Sequence, residues 1–269
     1  MLRTRLLTAA VMLVVVGWSL FGAPPTVWPM LVTGLMIWAA WEWAGLARVS
    51  PVWQMIYAIV IVIIYRWGQG EQWSQWLSEG AILFWLLVAP WWLRGQWRVP
   101  GWVLLSVGVL VMLPTGWSLE VLQQRGNQVL LALMAVLWVT DTAAYFTGRA
   151  WGRHKLAPSI SPGKTWEGVA GGVVAVTVYG GLWWMWAWNG GMGSMASVLR
   201  QHEWTWFLLL WLLAVLGILG DLFESWIKRC AGVKDSGRGL PGHGGILDRI
   251  DALTATLPLA AWWLGGNWH

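Results

Sequence analysis

The chain has few charged residues and only one cysteine. Of its 269 residues, 58% are hydrophobic and 11% are charged, whereas soluble domains are about 25% charged. So much apolar surface does not fit into one soluble core, so the bilayer is the expected solvent. Cys230 alone excludes an intramolecular disulfide, a paired-cysteine zinc site and a CxxC redox motif.

The basic balance of the chain does not indicate nucleic acid as a partner. The net charge of +5 is spread along a membrane-type sequence, and no soluble basic domain is there to hold DNA or RNA. A positive charge of this kind reflects membrane topology and anionic lipid headgroups. Membrane lipid, and no nucleic acid, is therefore the expected partner.

Long apolar runs divide almost the whole chain. A spanning helix needs roughly 20 mainly apolar residues. The candidate segments are residues 6–22, 26–46, 52–68, 77–93, 101–119, 128–147, 167–189, 204–223 and 250–265. We therefore predict an all-α, polytopic integral membrane protein with about nine transmembrane helices. Pro114 and the polar run 120–127 are expected to end the fifth helix, which separates five N-terminal spans (1–127) from a C-terminal membrane region (128–269).

The positions of the basic residues give the expected orientation. With nine spans, one side of the membrane receives most of them: Arg3, Arg5, Arg48, Arg94, Arg98, Arg149, Arg153, Lys155, Lys164, Lys228, Arg229, Lys234, Arg238 and Arg249. The other side receives Arg66, Arg125 and Arg200. By the positive-inside rule the N-terminus is cytoplasmic, together with the two longest polar loops, 148–166 and 224–249.

The second of these loops is rich in groups that bind metals and phosphates. It continues into Asp248 and Asp251, which share a helix face if a helix begins near residue 246 and could then share a hard cation. Asp221 ends the preceding apolar run and could approach them. Carboxylates held so close together imply a raised pKa or a bound cation. Mg²⁺ fits because it takes one or two carboxylates together with phosphate oxygens.

Two aspartates, Asp141 and Asp221, fall within apolar runs. A charge in a spanning helix costs about 3 kcal/mol on insertion scales, so such a residue is a functional candidate. The alternative is a structural ion pair near the interface, with Arg249, Arg149 or Lys228 as the partner.

Glycines and cations surround these carboxylates. The glycines let backbone amides approach a ligand: Gly237, Gly239, Gly242, Gly244 and Gly245. The cations are Lys228, Arg229, Lys234 and Arg238, with His243 among the glycines. The match of 237–242 to G-x-G-x-x-G has no preceding strand, and Pro158 stands where a Walker A motif before Gly163 needs glycine, so both soluble nucleotide folds are rejected.

A second basic cluster lies in the loop 148–166. Its cations are Arg149, Arg153, His154, Lys155 and Lys164, with Ser159 and Ser161 beside them. The cluster could anchor a helix end in anionic lipid, or it could bind a phosphate or a headgroup.

The block SWIKRCAGVKDSGRGLPGHGGILDRID, from Ser225 to Asp251, resembles the signature of the phosphatidate cytidylyltransferases. A second stretch, from Asp141 to Gly168, is also similar to that family. The block departs from the family pattern at Gly239, where a bulky aliphatic residue is usual, and at Ala252, which replaces a small hydroxyl residue. Neither change removes a charge.

The resemblance implies an enzyme of phospholipid biosynthesis that transfers a cytidylyl group from CTP to phosphatidic acid, giving CDP-diacylglycerol and pyrophosphate. It also implies a requirement for Mg²⁺, room for a second, monovalent cation such as K⁺, a homodimer, and a bacterial inner-membrane location with the active site at the cytoplasmic face. Residues 128–269 would then be the catalytic region. Direct attack of the lipid phosphate on the α-phosphorus needs no strong base.

Roles follow for particular residues. Metal ligation is expected of Asp221, Asp248 and Asp251. The other catalytic candidates are Lys228, Arg229, Lys234, Asp235, His243 and Arg249. The CTP phosphates are expected to contact Ser225, Gly237, Gly242, Gly244 and Gly245. A polar site for phosphatidate is expected at Asp141, Ser159, Ser161 and Lys164.

Two other functions compete with this interpretation. A CTP-dependent polyprenol or phytol kinase would transfer phosphate, not CMP, to a lipid. An ion-coupled transporter would use Asp141 and Asp221 near the bilayer midplane. The sequence has no inverted repeat, and its polar motifs fall on one side, which disfavours the transporter.

Overall fold

A computed structural model describes residues 2–265, with side chains described from residue 6. Its helices are α1 (Leu2–Phe21), α2 (Val27–Leu46), α3 (Pro51–Trp67), α4 (Gln72–Leu83), α5 (Ala89–Gly95), α6 (Gly101–Arg125), α7 (Asn127–Trp151), α8 (Trp166–Trp188), α9 (Ser194–His202), α10 (Thr205–Cys230) and α11 (Leu247–Trp263). A π-helical turn, Phe84–Val88, joins α4 to α5. The strands are β1 (Lys155–Ala157) and β2 (Ser161–Thr165).

The described chain is nearly all helical, and five of its helices are long and apolar enough to cross a membrane. They are Gln72–Gly95, Gly101–Arg125, Asn127–Trp151, Trp166–Trp188 and Thr205–Cys230. The prediction of an α-helical integral membrane protein is therefore confirmed. The predicted orientation rests partly on Arg3 and Arg5, whose side chains are not among those that the structure describes.

The fifth predicted segment does not end where its sequence indicates. Helix α6 runs through Pro114 and the polar residues that follow, as far as Arg125. Glu120 remains helical because it accepts hydrogen bonds from the side chains of Tyr65 and Gln69. The chain breaks at Gly126, whose φ of 144° favours glycine. Tertiary partners therefore hold this polar run in the helix.

The all-α prediction needs one correction, in the loop 148–166. Helix α7 continues to Trp151, and β1 and β2 then form an antiparallel hairpin. The hairpin is held between helices: Ile160 is buried, and Thr165 caps α8 by accepting the Gly168 N–H at 3.1 Å. A three-residue strand carries too little alternation to be read from sequence.

The loop 224–249 is also shorter than predicted. Helix α10 continues to Cys230, so the predicted loop residues Ser225, Lys228 and Arg229 are helical. The i, i+4 pair of Glu224 with Lys228, and the cations near the helix C-terminus, stabilise this extension. The irregular segment is 231–246.

Small residues set the helix spacing in the C-terminal half. A Cβ on Gly168 would lie 2.8 Å from the Ala144 carbonyl of α7, and a Cβ on Gly220 would lie 2.6 Å from the Asp251 carbonyl of α11. Gly171 and Gly172 likewise abut α7, and Gly180 abuts α10, whereas Gly181 has nothing within 4 Å. Small residues of this kind can serve helix packing or a dimer face, and close approach within the chain accounts for four of these five glycines.

Candidate active site

Asp248, in the first turn of α11, is the centre of a polar cluster. Its Oδ1 lies 2.5 Å from Lys228 Nζ of α10. Its Oδ2 accepts the Ser236 N–H at 3.0 Å, the Ser236 hydroxyl at 3.0 Å and the Gly245 N–H at 2.8 Å. The side chain is 5% exposed. Asp248 therefore ties the loop 231–246 to α10 and α11.

The surroundings of Asp248, which precedes the apolar part of α11, favour the charged carboxylate. Burial alone raises its pKa, but the Lys228 ammonium and the amides of Gly245 and Ser236 outweigh burial and hold the pKa below its ordinary value. The carboxylate is thus ionised at neutral pH.

Glu42, on α2, is a site residue that the sequence analysis missed. It is 4% exposed and accepts hydrogen bonds from the Ser236 hydroxyl at 2.9 Å, the Ile246 N–H at 3.1 Å and the Leu247 N–H at 3.0 Å. The last two donors are free amides at the start of α11, which a carboxylate is well suited to cap. The one available signal was a lone carboxylate within the apolar segment 26–46.

Glu42 also explains two of the loop glycines. A Cβ on Gly237 or on Gly245 would overlap the Glu42 carboxylate. Gly242 and Gly244 have φ of 77° and 82°, a backbone conformation that side chains disfavour. The glycines that the sequence assigned to phosphate contact are thus required by the loop's own packing.

We expect Gly245→Ala to lower turnover by about 10²-fold. The added Cβ would displace the Glu42 carboxylate and would move the Gly245 amide away from Asp248. Misplaced catalytic groups cost about that much in turnover. The matched control is Gly163→Ala, where a Cβ meets nothing within 4 Å. Turnover of both purified proteins is measured beside their thermal midpoints. Equal turnover in the two variants would show that this packing is not needed for activity.

The hairpin reaches the same cluster through Lys164. Its Nζ lies 2.5 Å from Asp221 Oδ2 and donates to the Ile218 carbonyl at 3.3 Å. Ser225 donates to the other oxygen, Asp221 Oδ1, at 3.2 Å. The two family-like stretches therefore meet in space. Asp221 does form an ion pair, but with Lys164, which was not among the partners considered above.

Glu224, which is buried, and Asp251, which is partly buried, form the acidic part of the cluster. They face each other across α10 and α11, with Asp221 also close to Asp251. Glu224 Oε2 lies 3.3 Å from Lys228 Nζ, whereas its buried Oε1 has no hydrogen-bond partner among the described residues. Buried carboxyls in such contact need a shared proton or a cation. Glu224 is the second site residue that the sequence analysis missed.

Asp141 joins this cluster from α7 without a direct pair. Its electrostatic neighbours are Lys164, Asp221 and Arg249. Arg249 itself is exposed at the start of α11. Asp141 therefore lies beside the polar cluster, and its role in a polar site for phosphatidate stays a prediction.

The other predicted residues lie around the loop 231–246. Arg229, Lys234 and Asp235 are exposed. His243 donates its N–H to the Leu240 carbonyl, and its buried Nδ1 has no partner among the residues described. These groups are near the cluster and three of them are open to solvent, as contact with a soluble ligand requires.

Ser159 and Ser161 are less directly placed. Ser159 accepts a hydrogen bond from the Gln96 side chain at 2.6 Å. Ser161 lies opposite Ala157 in the hairpin. Among the described residues, neither serine hydrogen-bonds to Asp221, Asp248 or Asp251. Their role in phosphatidate binding therefore stays a prediction.

The loop is also covered from the N-terminal helices. Thr8 of α1 donates to the Pro241 carbonyl at 2.9 Å. The indole of Trp38 on α2 fills the space that a side chain at position 239 would need. This explains why glycine replaces the usual bulky residue at 239: the bulk comes from Trp38.

Only some of the predicted metal ligands have carboxylate oxygens available for a hard cation. Within residues 2–265 no group of three or more His, Cys, Asp or Glu side chains is close enough to hold a metal. Both oxygens of Asp248 are already engaged. Both oxygens of Asp221 are engaged as well, by Lys164 and Ser225. Asp251 and the unpartnered Glu224 Oε1 supply the oxygen chemistry that Mg²⁺ prefers.

Comparisons with known proteins identify the family of the chain. The model of the Cytidylyltransferase family matches residues 3–265. A phosphatidate cytidylyltransferase of Pseudomonas aeruginosa is 35% identical over 280 residues, covering 97% of this chain and 96% of that protein. One of Haemophilus influenzae is 32% identical, covering 96% of each chain. One of Brucella melitensis is 46% identical over 134 residues, 50% of this chain and 46% of its own length. The chain therefore belongs to the cytidylyltransferase family.

Proposed function

We propose that this protein transfers a cytidylyl group from CTP to phosphatidic acid, producing CDP-diacylglycerol and pyrophosphate. Family membership, and two relatives that match nearly its full length and are named for this activity, support this function. The observation that carries it is the meeting of two polar segments: Lys164 with Asp221, and Lys228 with Asp248. Cations and carboxylates are thereby held together at one end of α10 and α11.

The reaction needs no covalent enzyme nucleophile. The phosphate monoester of phosphatidic acid is already anionic and attacks the α-phosphorus of CTP directly, with pyrophosphate leaving. Catalysis is then positioning and neutralisation of charge. Exposed Arg229 and Lys234, with His243, bind the CTP phosphates, while Lys164 lies on the side of the hairpin and serves the lipid phosphate.

Asp251 and Glu224, with Asp221 near them, are the residues that would hold Mg²⁺. They would have to approach one another more closely than in the described structure, and Asp221 would have to release Lys164. Asp248, predicted as a third ligand, contributes by fixing Lys228 and the loop. A bound Mg²⁺ would supply positive charge that offsets the negative charge developing on the phosphates. The second, monovalent cation is proposed beside the close carboxyls of Glu224 and Asp251, whose negative charge it would offset.

The membrane arrangement that we propose has nine spans and a cytoplasmic N-terminus, in a bacterial inner membrane. Every predicted apolar segment corresponds to a helix, with α4 and α5 acting as one and the short α9 lying outside the membrane. The active site then opens to the cytoplasm, where CTP is available, and phosphatidic acid reaches it from the bilayer.

A homodimer is also proposed, on the family resemblance alone. Four of the glycines that could have formed its face pack inside the chain, so the interface lies elsewhere. Cross-linking of the protein in lipid vesicles is expected to give a dimer. Recovery of monomer alone at all cross-linker concentrations would remove this proposal.

The function is tested with CTP labelled at the α-phosphorus. The purified protein with phosphatidic acid and Mg²⁺ is expected to move the label into the lipid, and a parallel reaction with γ-labelled CTP is expected to leave the lipid unlabelled. The reverse pattern would identify the lipid kinase. No label in either lipid product, in protein with a normal thermal midpoint, would favour the transporter.

A further inference from the structure

A cavity of about 260 Å³ lies beside the last turns of α10. Its walls include the apolar side chains of Leu46, Val99, Leu104 and Ile227, and its polar border is formed by Arg48 and Arg98. None of these residues takes part in the cluster around Asp248. The cavity brings together the end of α2, the connection between α5 and α6, and α10.

The cavity and the active site lie on different sides of α10. A helix turns about 100° per residue, so residues two apart point in nearly opposite directions. Lys228 points to Asp248 on α11, whereas Cys230, two residues later, lines the cavity. Trp226 also lines the cavity and directly follows Ser225, which contacts Asp221. The cavity is therefore a separate site.

Trp92 and Trp226 line the cavity with the carbon atoms of their rings. The indole N–H groups of Trp92 and Trp226 both donate to the Trp97 carbonyl, at 2.9 and 3.1 Å. With those polar atoms satisfied, the rings act as apolar walls. The charge of the cavity comes from the two arginines.

Neither arginine is neutralised by a carboxylate among the described residues. Arg48 has a left-handed backbone, with φ of 59°, and its Nη2 donates to the Cys230 carbonyl at 3.0 Å. That single bond leaves other guanidinium donors free. Both side chains are exposed at the mouth, so a ligand reaches them without any rearrangement.

We propose that this cavity binds the phosphate of an anionic phospholipid, separately from the reaction site. Two guanidinium groups recognise a phosphate through paired hydrogen bonds, and the apolar and tryptophan walls suit the adjoining glycerol and acyl carbons. A cavity of about 260 Å³ accommodates a phosphate with its ester carbons. The bound lipid would tie α2 and α6 to the end of α10.

Lipid binding is tested on delipidated protein by native mass spectrometry, with phosphatidylglycerol as the probe. Wild type is expected to bind it, and Arg98→Gln to bind it about five- to tenfold more weakly, as loss of one cation near an anionic headgroup predicts. Arg94→Gln is the control, because Arg94 is exposed nearby in α5 but does not line the cavity. Arg48→Lys, which keeps the positive charge, is expected to weaken phosphatidylglycerol binding less than Arg98→Gln does.

The comparison probes separate the possible sources of phosphate. Phosphatidylcholine, whose headgroup has no net charge, is expected to bind weakly to all variants, and inorganic phosphate is expected not to compete. Equal binding of phosphatidylglycerol by wild type and Arg98→Gln would overturn the proposal, as would equal binding of phosphatidylcholine. Competition by millimolar phosphate would assign the cavity to a soluble ion instead. Phosphatidylglycerol is not the proposed substrate, so these results do not depend on transferase activity.

Discussion

Asp251→Asn is expected to lower turnover by about 10² to 10³-fold while the protein remains folded. The change is nearly isosteric, but it removes one negative charge from the contact with Glu224 and Asp221. If these groups hold Mg²⁺, the remaining activity should need a higher Mg²⁺ concentration. Turnover is measured across a Mg²⁺ titration, with the thermal midpoint recorded for each sample.

Glu71→Gln is the matched control for Asp251→Asn. Glu71 is an exposed carboxylate before α4, without a side-chain cap or an ion pair among the described residues. Its amide variant is expected to keep wild-type turnover and Mg²⁺ dependence. If Asp251→Asn also kept both, the assignment of the metal to this carboxyl would be wrong.

Glu42→Ala is expected to reduce both stability and turnover. The change leaves the amides of Ile246 and Leu247 without their acceptor, and each unsatisfied buried group costs about 1 to 3 kcal/mol. The loop should then shift relative to α11, with a loss of turnover of about 10²-fold. Thermal unfolding and the assay with α-labelled CTP measure the two effects.

A second substitution separates positioning by Glu42 from simple loss of fold. Glu42→Gln keeps one oxygen acceptor and is expected to be intermediate in stability. Its residual turnover should show the wild-type Mg²⁺ dependence, because Glu42 contacts the loop and not the acidic pair. An altered Mg²⁺ dependence like that of Asp251→Asn would instead place Glu42 in the metal site.

The hydroxyl of Ser236 shows why loop residues and Glu42 act together. It lies 2.9 Å from Glu42 Oε2 and 3.0 Å from Asp248 Oδ2. One hydroxyl donates only one hydrogen, so the backbone amides supply the remaining donors to both carboxylates. This shared set of donors links α2 to α11 and to the loop 231–246. Hydrogen bonds of the polar cluster therefore cross the boundary drawn at residue 127.

Charge pattern and composition identified several of the charged residues that the structure brings together around Asp248. Asp248 and Asp251 were expected to share a helix face if a helix begins near residue 246, and α11 begins at Leu247. The same pattern could not separate their roles. Asp248 accepts backbone and lysine donors, whereas Asp251 faces other carboxyls. That difference arises from neighbours distant in the sequence.

The sequence by itself determined the solvent, the helical class and the chemical character of the two polar stretches, because apolar content, segment length and local charge are properties of adjacent residues. Tertiary structure decided which of those charges meet. Glu42 lies 194 residues before Ser236, and Lys164 lies 54 residues before Ile218. The hydrophobic periodicity of a single segment does not predict such distant pairs. They form only when packed helices bring buried charges together, since a buried charge without a partner is too costly to leave in place.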